Sequence, residues 1–423
     1  MSQSDNSAKL SFYSPCNDEA YALELANAEE FSQISDRLLA YYRGHFTQEL
    51  LFRTRALKRL KSWLKANEAE LLDALHMDLG ITTRDAYLNE LMPVYRGLRL
   101  TLENMKGWSK PKNVTRLAFP FTTKVEIHQS PLGLVTIVGS GTHPLQDCLS
   151  PMVQAVSAGN CVLLSPHEAN TNTAQLFRKL CRECFDSRFV FCLPANKDIK
   201  SLALKSKVSK IFFYGNAEDG AMALHAAADS LTPVSLALDA ACPCIIDSDA
   251  DPNRLLRAFS RKTHCGPKDA YSAPNHFYVH ESMPKEYIDR LKAILPNGMI
   301  LEWKEEDRFR LSRKIEELGR IRVCYLFSRD EKLQKRLAQQ LNCELLLTND
   351  YPSIIDDEHS IIPGKRLNNV SSLQAEHGFE AFSRSKISLN KPNLLELPLR
   401  IAKNARVRLL SVLATRKAET EQK

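Results

Sequence analysis

The chain has 423 residues, of which 44% are hydrophobic and 25% charged, and its formal net charge is +7. This balance is typical of a globular protein long enough for two or more packed domains. Lysine and arginine are spread along the chain, so the mild positive charge gives no indication of nucleic-acid binding. No apolar run approaches the roughly 18 residues that a membrane-spanning helix needs.

The N-terminal part is helical in pattern. Leucines recur at three- and four-residue steps between charges from about residue 33 to 78, and a second such stretch runs from Asp85 to Trp108. The segment 124–130 then alternates between apolar and polar residues. The run PLGLVTIVGS (131–140) is rich in β-forming apolar residues, which is typical of a strand buried on both faces.

Short apolar strands alternate with helices over the next two hundred residues. CVLLSP follows a predicted helix over 145–157, FVFCLP follows one over 172–185, and KIFFYG (210–215) precedes one over 220–229. A second unit opens near residue 237 and contains ACPCIID, helix 252–262, APNHFYVH, helix 284–294, VCYLFS (323–328), helix 330–341 and ELLLTND. This order predicts an α/β fold with parallel sheets and crossover helices, the first sheet being of the Rossmann type. The tail, 390–423, is basic and has an amphipathic helical pattern near 399–416.

The cysteines indicate a reducing compartment. Eleven of them are scattered along the chain, and the first twenty residues are polar, without the apolar core of a signal peptide. We therefore expect a cytoplasmic protein. Cys181 and Cys184 form a CxxC inside a predicted helix with no second pair or histidine at zinc spacing, so structural thiols are favoured and no metal is expected.

The turn YGNAEDG (214–220) follows a predicted strand and opens a helix, which is where a dinucleotide pyrophosphate would meet free backbone amides. Two glycines five residues apart are a weak signal. Glu218 and Asp219 occupy the helix start, where carboxylates satisfy the positive pole and repel a phosphate. The favoured interpretation is a self-capped helix.

Several segments together resemble the aldehyde dehydrogenase superfamily, in particular its class 3 branch. SPLGLVTIVGSGTHPLQDCLSPMVQAVSAGNCVLLSPHE (130–168) is similar to the family's PLGVV strand, TWNYPF turn, PMVGAIAAGN helix and VLKPSE turn. FFYGNAEDG resembles YTGSTGVG, LTPVSLALDAACPCIID resembles LTPVTLELGGKSPCYVD, and AYSAPNHFYVH resembles TCVAPDYILC. The resemblance implies a Rossmann-like cofactor-type domain over 1–236, a shortened catalytic-type domain over 237–360, and a C-terminal arm with a basic helix over 361–423.

The family's reaction needs a cysteine nucleophile, a glutamate base and an asparagine that holds the oxyanion, and hydride passes to NAD(P). In the register of the resemblance, the asparagine position holds Thr142, the glutamate position holds Ala237 and the cysteine position holds Tyr271. Cys265 lies six residues before Tyr271, and the match at 272–274 leaves no room to shift it into place. The resemblance therefore implies that no family catalytic residue remains.

The cofactor positions are changed as well. The family's ribose-binding lysine corresponds to Ser165, and the serine of the glycine turn corresponds to Asn216. Glu168, Gly215 and Gly220 persist as vestigial cofactor-binding positions. The EIFGP and FGGVGNSGMG segments have no counterpart, and a short charged connector stands between Pro296 and Val323 in place of a longer part of the catalytic domain.

Two functions follow from these replacements. The first is a pseudoenzyme, a scaffold or regulatory subunit that has lost aldehyde oxidation and binds no cofactor. The alternative is an active NAD(P)-dependent oxidoreductase or acyl-transfer enzyme with a rebuilt site that uses His143, His264 or Cys265. The first is favoured, since losing a site's polar groups together is easier than rebuilding them.

The resemblance also implies a homodimer. Family members pair through a helix of the cofactor domain and a C-terminal arm that adds a strand to the partner's sheet. SRSKISLNKP (383–392) alternates like such an arm, with Ser385, Ile387 and Leu389 on one face. The simpler interpretation is an ordinary edge strand within one chain.

Overall fold

The computed structural model describes residues 28–113, 116–118, 121–238, 240–251, 274–294, 299–349 and 375–390. The predicted helix over 252–262, the residues Tyr271, His264 and Cys265, and the basic tail lie outside the described residues. The helices are α1 (Ala28–Arg43), α2 (Leu50–Ala66), α3 (Glu68–Leu79), α4 (Thr83–Ala86), α5 (Met92–Trp108), α6 (Pro144–Ala158), α7 (Thr171–Cys184), α8 (Lys197–Lys205), α9 (Ala217–Ala228), α10 (Lys285–Ile294), α11 (Leu311–Glu316), α12 (Glu331–Gln340) and α13 (Ala375–Ala381).

Fourteen strands appear in the described parts of the chain. They are β1 (Lys112–Asn113), β2 (Arg116–Ala118), β3 (Phe121–Pro131), β4 (Leu134–Val138), β5 (Cys161–Ser165), β6 (Val190–Cys192), β7 (Lys210–Gly215), β8 (Val234–Leu238), β9 (Pro243–Ile246), β10 (His276–His280), β11 (Met299–Trp303), β12 (Ile321–Phe327), β13 (Cys343–Thr348) and β14 (Ser383–Asn390). A π-helical turn, Tyr87–Leu91, joins α4 to α5, and 3-10 turns span Phe46–Gln48 and Glu305–Phe309.

The leucine-rich N-terminal stretch forms three helices, α1 to α3, with breaks between them. The first break contains His45, whose backbone has φ 62°, a left-handed conformation that ends a helix. The second lies at Asn67, between α2 and α3. The leucine faces pack into the large core cluster of the molecule, and Leu57, Leu60 and Leu71 are completely buried.

The first sheet is parallel and has the order β6-β5-β4-β7-β8. All five residues of β4 are buried, as a strand covered by helices on both faces requires. This confirms the predicted α/β architecture with a Rossmann-type sheet. Strand β8 was not predicted, because its residues alternate between buried and half-buried at the sheet edge.

One buried asparagine ties this sheet to the C-terminal segment. Asn160 follows Gly159, which ends α6 at φ 95° and lies so close to Thr47 that an added Cβ would be 3.0 Å from its carbonyl oxygen. Asn160 Nδ2 donates to the carbonyl oxygens of Ala155 (3.1 Å) and Phe382 (2.9 Å), and its Oδ1 accepts from Gly133 N (2.9 Å). Asn160 therefore has a structural role: its side chain connects the end of α6 with Gly133 before β4 and with Phe382 before β14.

The second sheet is also parallel, with the order β11-β10-β9-β12-β13. The charged connector predicted after Pro296 contains regular structure: the edge strand β11, the helix α11 and the first residues of β12. Only one residue of β11, Trp303, is fully buried, so the charges face solvent. The sequence of β11 therefore predicted a connector, although the segment forms a strand. The predicted domain boundary after residue 236 falls within β8, and the threefold division stays a prediction.

The third sheet is antiparallel and contains the predicted arm. Strand β14 pairs with β3 of the same chain from Ser383–Pro131 to Asn390–Lys124, β1 pairs with Glu126 and Ile127 on the other side of β3, and β2 pairs with the start of β3. The segment is thus an edge strand within its own chain, as the simpler interpretation expected. Among the described residues, no helix is long and apolar enough to cross a membrane.

Candidate functional site at the carboxyl edge of the first sheet

The order of strands in the first sheet reverses between β4 and β7. Parallel α/β sheets bind ligands in the crevice outside the carboxyl ends of the strands at such a reversal. The residues following β4 include Thr142, those following β5 include Glu168, and β7 ends at Gly215. Ala237 lies near the end of β8. The sheet therefore brings the described candidate residues to one edge.

The loop after β4 is fixed by Ser140. Its Oγ donates to Asp147 Oδ2 (2.5 Å) and accepts from the backbone amides of Thr142 (3.3 Å) and His143 (3.1 Å). Thr142 Oγ1 lies 3.1 Å from the same serine oxygen. Thr142 occupies the expected oxyanion position, and its hydroxyl is held by the loop itself.

His143 is part of a buried capping arrangement at the start of α6. Its Nδ1 lies 2.6 Å from Glu90 Oε1, and both side chains are at most 5% exposed. The second carboxylate oxygen, Glu90 Oε2, accepts from the amides of Leu145 and Gln146 at 3.0 Å each. Glu90 thus satisfies two helix-terminal donors that otherwise lack an intrahelical partner. Nothing in the sequence pattern singled out Glu90, which lies 53 residues before His143.

Ala237 occupies the expected base position and is 7% exposed. Its register neighbour on β7 is Tyr214, so the two side chains lie on the same side of the parallel sheet. Tyr214 is 2% exposed, and its hydroxyl makes no hydrogen bond within the described part of the chain. Burial, followed by the charge of Asp147, raises the pKa of Tyr214 well above its usual value. A methyl group and a neutral phenol therefore occupy this position.

Most of the described cysteines are buried thiols. Eight of the nine are buried, including Cys181 and Cys184, which agrees with the predicted structural role of the CxxC. Burial raises the pKa of Cys148 well above its ordinary value, and it raises the pKa of Cys184 to about 12. A thiol that stays protonated is a poor nucleophile. No group of three His, Cys, Asp or Glu side chains that could hold a metal occurs among residues the structure describes.

The glycine turn after β7 is closed by its own side chains. Asn216 Oδ1 accepts from Asp219 N at 2.8 Å, so the asparagine caps α9, and Glu218 and Asp219 lie in its first turn, which agrees with the predicted self-capped helix. The helix begins at Ala217, three residues before the predicted start. An added Cβ on Gly220 would lie 2.6 Å from Leu238 Cδ2. Gly220 therefore allows α9 to approach the end of β8, which is a packing role.

Glu168 is the one retained cofactor-type residue with a charged side chain. Its Oε2 lies 3.7 Å from Lys200 Nζ of α8, and the same Nζ lies 4.0 Å from Asp219 Oδ2 of α9. Lys200 is 10% exposed in this position. No local sequence pattern indicates Lys200, because three separate elements bring the three groups together. Ser165, at the expected lysine position, is buried, and its hydroxyl makes no hydrogen bond to the described residues.

Comparison with known proteins identifies the family. The family model described as "Aldehyde dehydrogenase family" matches residues 2–300. The chain belongs to the aldehyde dehydrogenase family. Its fold agrees with that assignment: the structure titled "Substrate bound state of Staphylococcus Aureus AldH" superposes with a TM-score of 0.80 at 21% identity, over 90% of this chain and 99% of that one. An NAD+ complex of aldehyde dehydrogenase from Bacillus cereus superposes with a TM-score of 0.72 at 14% identity, over 86% and 89%.

Curated aldehyde dehydrogenases match the chain over part of their lengths. A 4,4'-diaponeurosporen-aldehyde dehydrogenase of Staphylococcus aureus is 28% identical over 60% of this chain and 56% of its own. Aldehyde dehydrogenase family 3 member B1 of Bos taurus is 30% identical over 63% and 57%. The dimeric NADP-preferring aldehyde dehydrogenase of Canis lupus familiaris is 27% identical over 69% and 62%. The chain thus spans little more than half the length of these relatives, and they confirm the predicted resemblance to class 3 members.

Proposed function

We propose that this member of the aldehyde dehydrogenase family has lost NAD(P)-dependent aldehyde oxidation and acts as a scaffold or regulatory subunit. The observation that carries the proposal is the base position. Ala237 supplies no proton acceptor, and its neighbour Tyr214 is a buried phenol with a raised pKa. Hydrolysis of a thioester intermediate needs a positioned base, so the family's second step has no residue to perform it.

The first step lacks its residue as well. The family nucleophile corresponds to Tyr271, and a phenol with an ordinary pKa of about 10 is a weak nucleophile at neutral pH. The oxyanion position holds Thr142, and losing one oxyanion donor costs a factor of about 10² or more in rate. The alternative of a rebuilt site draws no support from His143, because Glu90 holds its imidazole at the helix start.

The cofactor-type edge does not fit a dinucleotide. A pyrophosphate at the start of α9 would meet Asp219 and the amide that Asn216 already occupies. The ribose acceptor Glu168 is engaged by Lys200, and the position of the family's lysine is the buried Ser165. We therefore propose that the wild-type protein binds neither NAD nor NADP.

We further propose a cytoplasmic homodimer. The canine relative is described as dimeric. In this chain, Ile387 and Leu389 of edge strand β14 are 64% and 65% exposed, and Met222 of α9 is 56% exposed. Apolar surface of this kind on an edge strand and a helix is suited to a second copy. The free thiols of the described cysteines agree with a reducing compartment.

The proposal on chemistry is tested with purified protein, NAD or NADP, and a panel of aliphatic and aromatic aldehydes. We expect no reduced cofactor above the buffer control. Turnover that Cys265→Ala abolishes would overturn the proposal in favour of a rebuilt site. Restoring two family residues together, with Tyr271→Cys and Ala237→Glu, should also give no activity, because the cofactor contacts remain changed.

The proposal on assembly is tested by multi-angle light scattering at micromolar concentration. We expect a dimer mass for the full chain and a monomer mass after deletion of residues 383–423. A monomeric full chain, or a dimer that survives the deletion, would contradict the role of this segment. Ile387→Ser with Leu389→Ser leaves the strand hydrogen bonds to β3 in place and isolates the apolar contribution.

A further inference from the structure

We infer that Lys200 closes the cofactor-type crevice from within, by bridging Glu168 and Asp219 in place of a ligand. The inference rests on the proposed loss of cofactor binding and adds the residue responsible. A crevice that is only missing contacts binds weakly, whereas a crevice held shut by an ion pair must be opened first.

The geometry of the bridge spans three separate elements. Glu168 belongs to the turn between β5 and α7, Lys200 lies in the first turn of α8, and Asp219 lies in the first turn of α9. The Lys200 ammonium is within 4.0 Å of both carboxylates, and the side chains of Glu168 and Asp219 are only 22% and 30% exposed. A ligand entering along this edge would have to separate both ion pairs.

The ammonium of Lys200 lies beside carboxylates that are themselves largely buried. Glu168 Oε2 is buried and makes no hydrogen bond to the described residues, and it lies 3.7 Å from the Lys200 ammonium and 3.9 Å from the ring of His167. A nearly buried lysine is costly unless carboxylates compensate for its lost hydration. Here one ammonium lies within 4.0 Å of two carboxylates, and removing it takes that charge from both.

Burial and nearby charges act in opposite directions on the pKa values of Glu168 and His167. Desolvation raises the pKa of Glu168, but the backbone hydrogen bond and the charges of His167 and Lys200 outweigh it, and the pKa lies below its usual value. Desolvation is the largest influence on His167 and lowers its pKa. Both directions agree with a charged Glu168 beside Lys200 at neutral pH.

The test compares NAD+ binding by calorimetry across four proteins: wild type, Lys200→Ser, Lys200→Ser with Asp219→Asn, and Lys197→Ser with Asp219→Asn. The double variant at 200 removes the bridge and the repelling carboxylate. The double variant at 197 makes the same change of charge on the exposed first residue of the same helix and keeps Lys200 beside Glu168. It is therefore the matched control.

We expect saturable NAD+ binding in the Lys200→Ser/Asp219→Asn protein, at least about tenfold tighter than in wild type or the control, which corresponds to about 1.4 kcal/mol. Wild type that binds as tightly as this variant would overturn the inference, as would a folded double variant that does not bind. Neither outcome depends on aldehyde turnover. Binding by wild type without turnover leaves the loss of oxidation standing, and turnover by wild type overturns the proposed function.

A second measurement tests the bridge itself and needs only folded protein. Lys200→Met should lower the Tm by a few degrees in the wild-type background and by less in a Glu168→Gln background, because the partner charge is gone. The charge of the exposed Lys197 also acts on Glu168, so Lys197→Met should show a difference between the two backgrounds that is smaller than the difference for Lys200→Met. Additive shifts for Lys200 and Glu168 would overturn the bridge.

Discussion

At the carboxyl edge of the second sheet, Asp247 is completely buried and fully bonded, whereas Glu168 at the equivalent edge of the first sheet depends on ion pairs. Asp247 accepts from Arg308 Nη1 (3.2 Å) and Nη2 (3.0 Å), from Ser328 Oγ (2.7 Å) and from Ser248 N (2.8 Å). Glu168 Oε2 lies 3.7 Å from Lys200 Nζ and 3.9 Å from the His167 ring, and it makes no hydrogen bond to the described residues. The two edges have the same topology, since each lies where the strand order reverses.

The two edges differ in how the oxygens of their carboxylates are satisfied. A cluster that serves only folding can satisfy every buried polar atom, as the contacts of Asp247 do. At the first edge, Ser165, Tyr214 and Glu168 carry buried oxygens without a hydrogen bond among the described residues, and at the second edge the same holds for His280 Nε2. Lys200 then compensates for the charge and not for the missing hydrogen bonds.

The largest predicted effect concerns Asp247 at the carboxyl edge of the second sheet. Arg308→Met should reduce the free energy of unfolding by about 3–5 kcal/mol, because it leaves the buried Asp247 carboxylate without its cation. Urea denaturation measures the loss, and hydrogen exchange should accelerate in β9 and β12, the strands that Asp247 and Ser328 follow.

The control for Arg308 is an exposed ion pair. Lys335 and Glu331 pair at 3.2 Å with side chains 76% and 77% exposed, so Lys335→Met should cost less than about 1 kcal/mol. Equal losses for Arg308→Met and Lys335→Met would show that the second edge is no more important for folding than ordinary surface charge.

An intermediate loss of stability is expected on substitution of Gly220, and it tests whether this glycine is needed for helix packing. Gly220→Ala places a Cβ 2.6 Å from Leu238 Cδ2 and should destabilise the protein by about 1–3 kcal/mol. Leu238→Ala in the same chain removes the clash, so the double variant should lose less than the sum of the two single variants.

Gly97 provides a control of opposite sign for Gly220. It lies inside α5, where an added Cβ would meet nothing within 4 Å, so Gly97→Ala should stabilise the protein by up to about 1 kcal/mol. Destabilisation at Gly97, or none at Gly220, would contradict the packing role assigned to the glycine turn.

The sequence predicted most of the fold because apolar strands and helices of regular length leave a strong local pattern. Strands β4 and β12 are buried along their whole length and were found, whereas β8 and β11 lie at sheet edges and were missed. The site was harder to predict. Ala237 was located by resemblance, but Glu90 and Lys200 act through contacts between distant elements, and no local pattern contains such contacts.

The smallest predicted effect is a pH dependence that distinguishes the two edges. The pKa of Glu168 is lowered in the folded protein, so its charged form contributes stability above the ordinary carboxyl pKa of about 4.3, and this contribution is lost as the pH falls through the folded value.

Glu168→Gln should therefore be less stable than wild type by under about 1 kcal/mol at pH 7, since the pair is partly exposed. The difference should stay constant down to about pH 5 and shrink below it, where the wild-type carboxyl becomes protonated and resembles the amide. Thermal unfolding of both proteins between pH 7 and 3 measures this, and Lys200→Met should reduce the difference without abolishing it, because the backbone hydrogen bond to Glu168 remains. A gap that widens on acidification would mean that Glu168 is stabilised by its own protonation and not by Lys200.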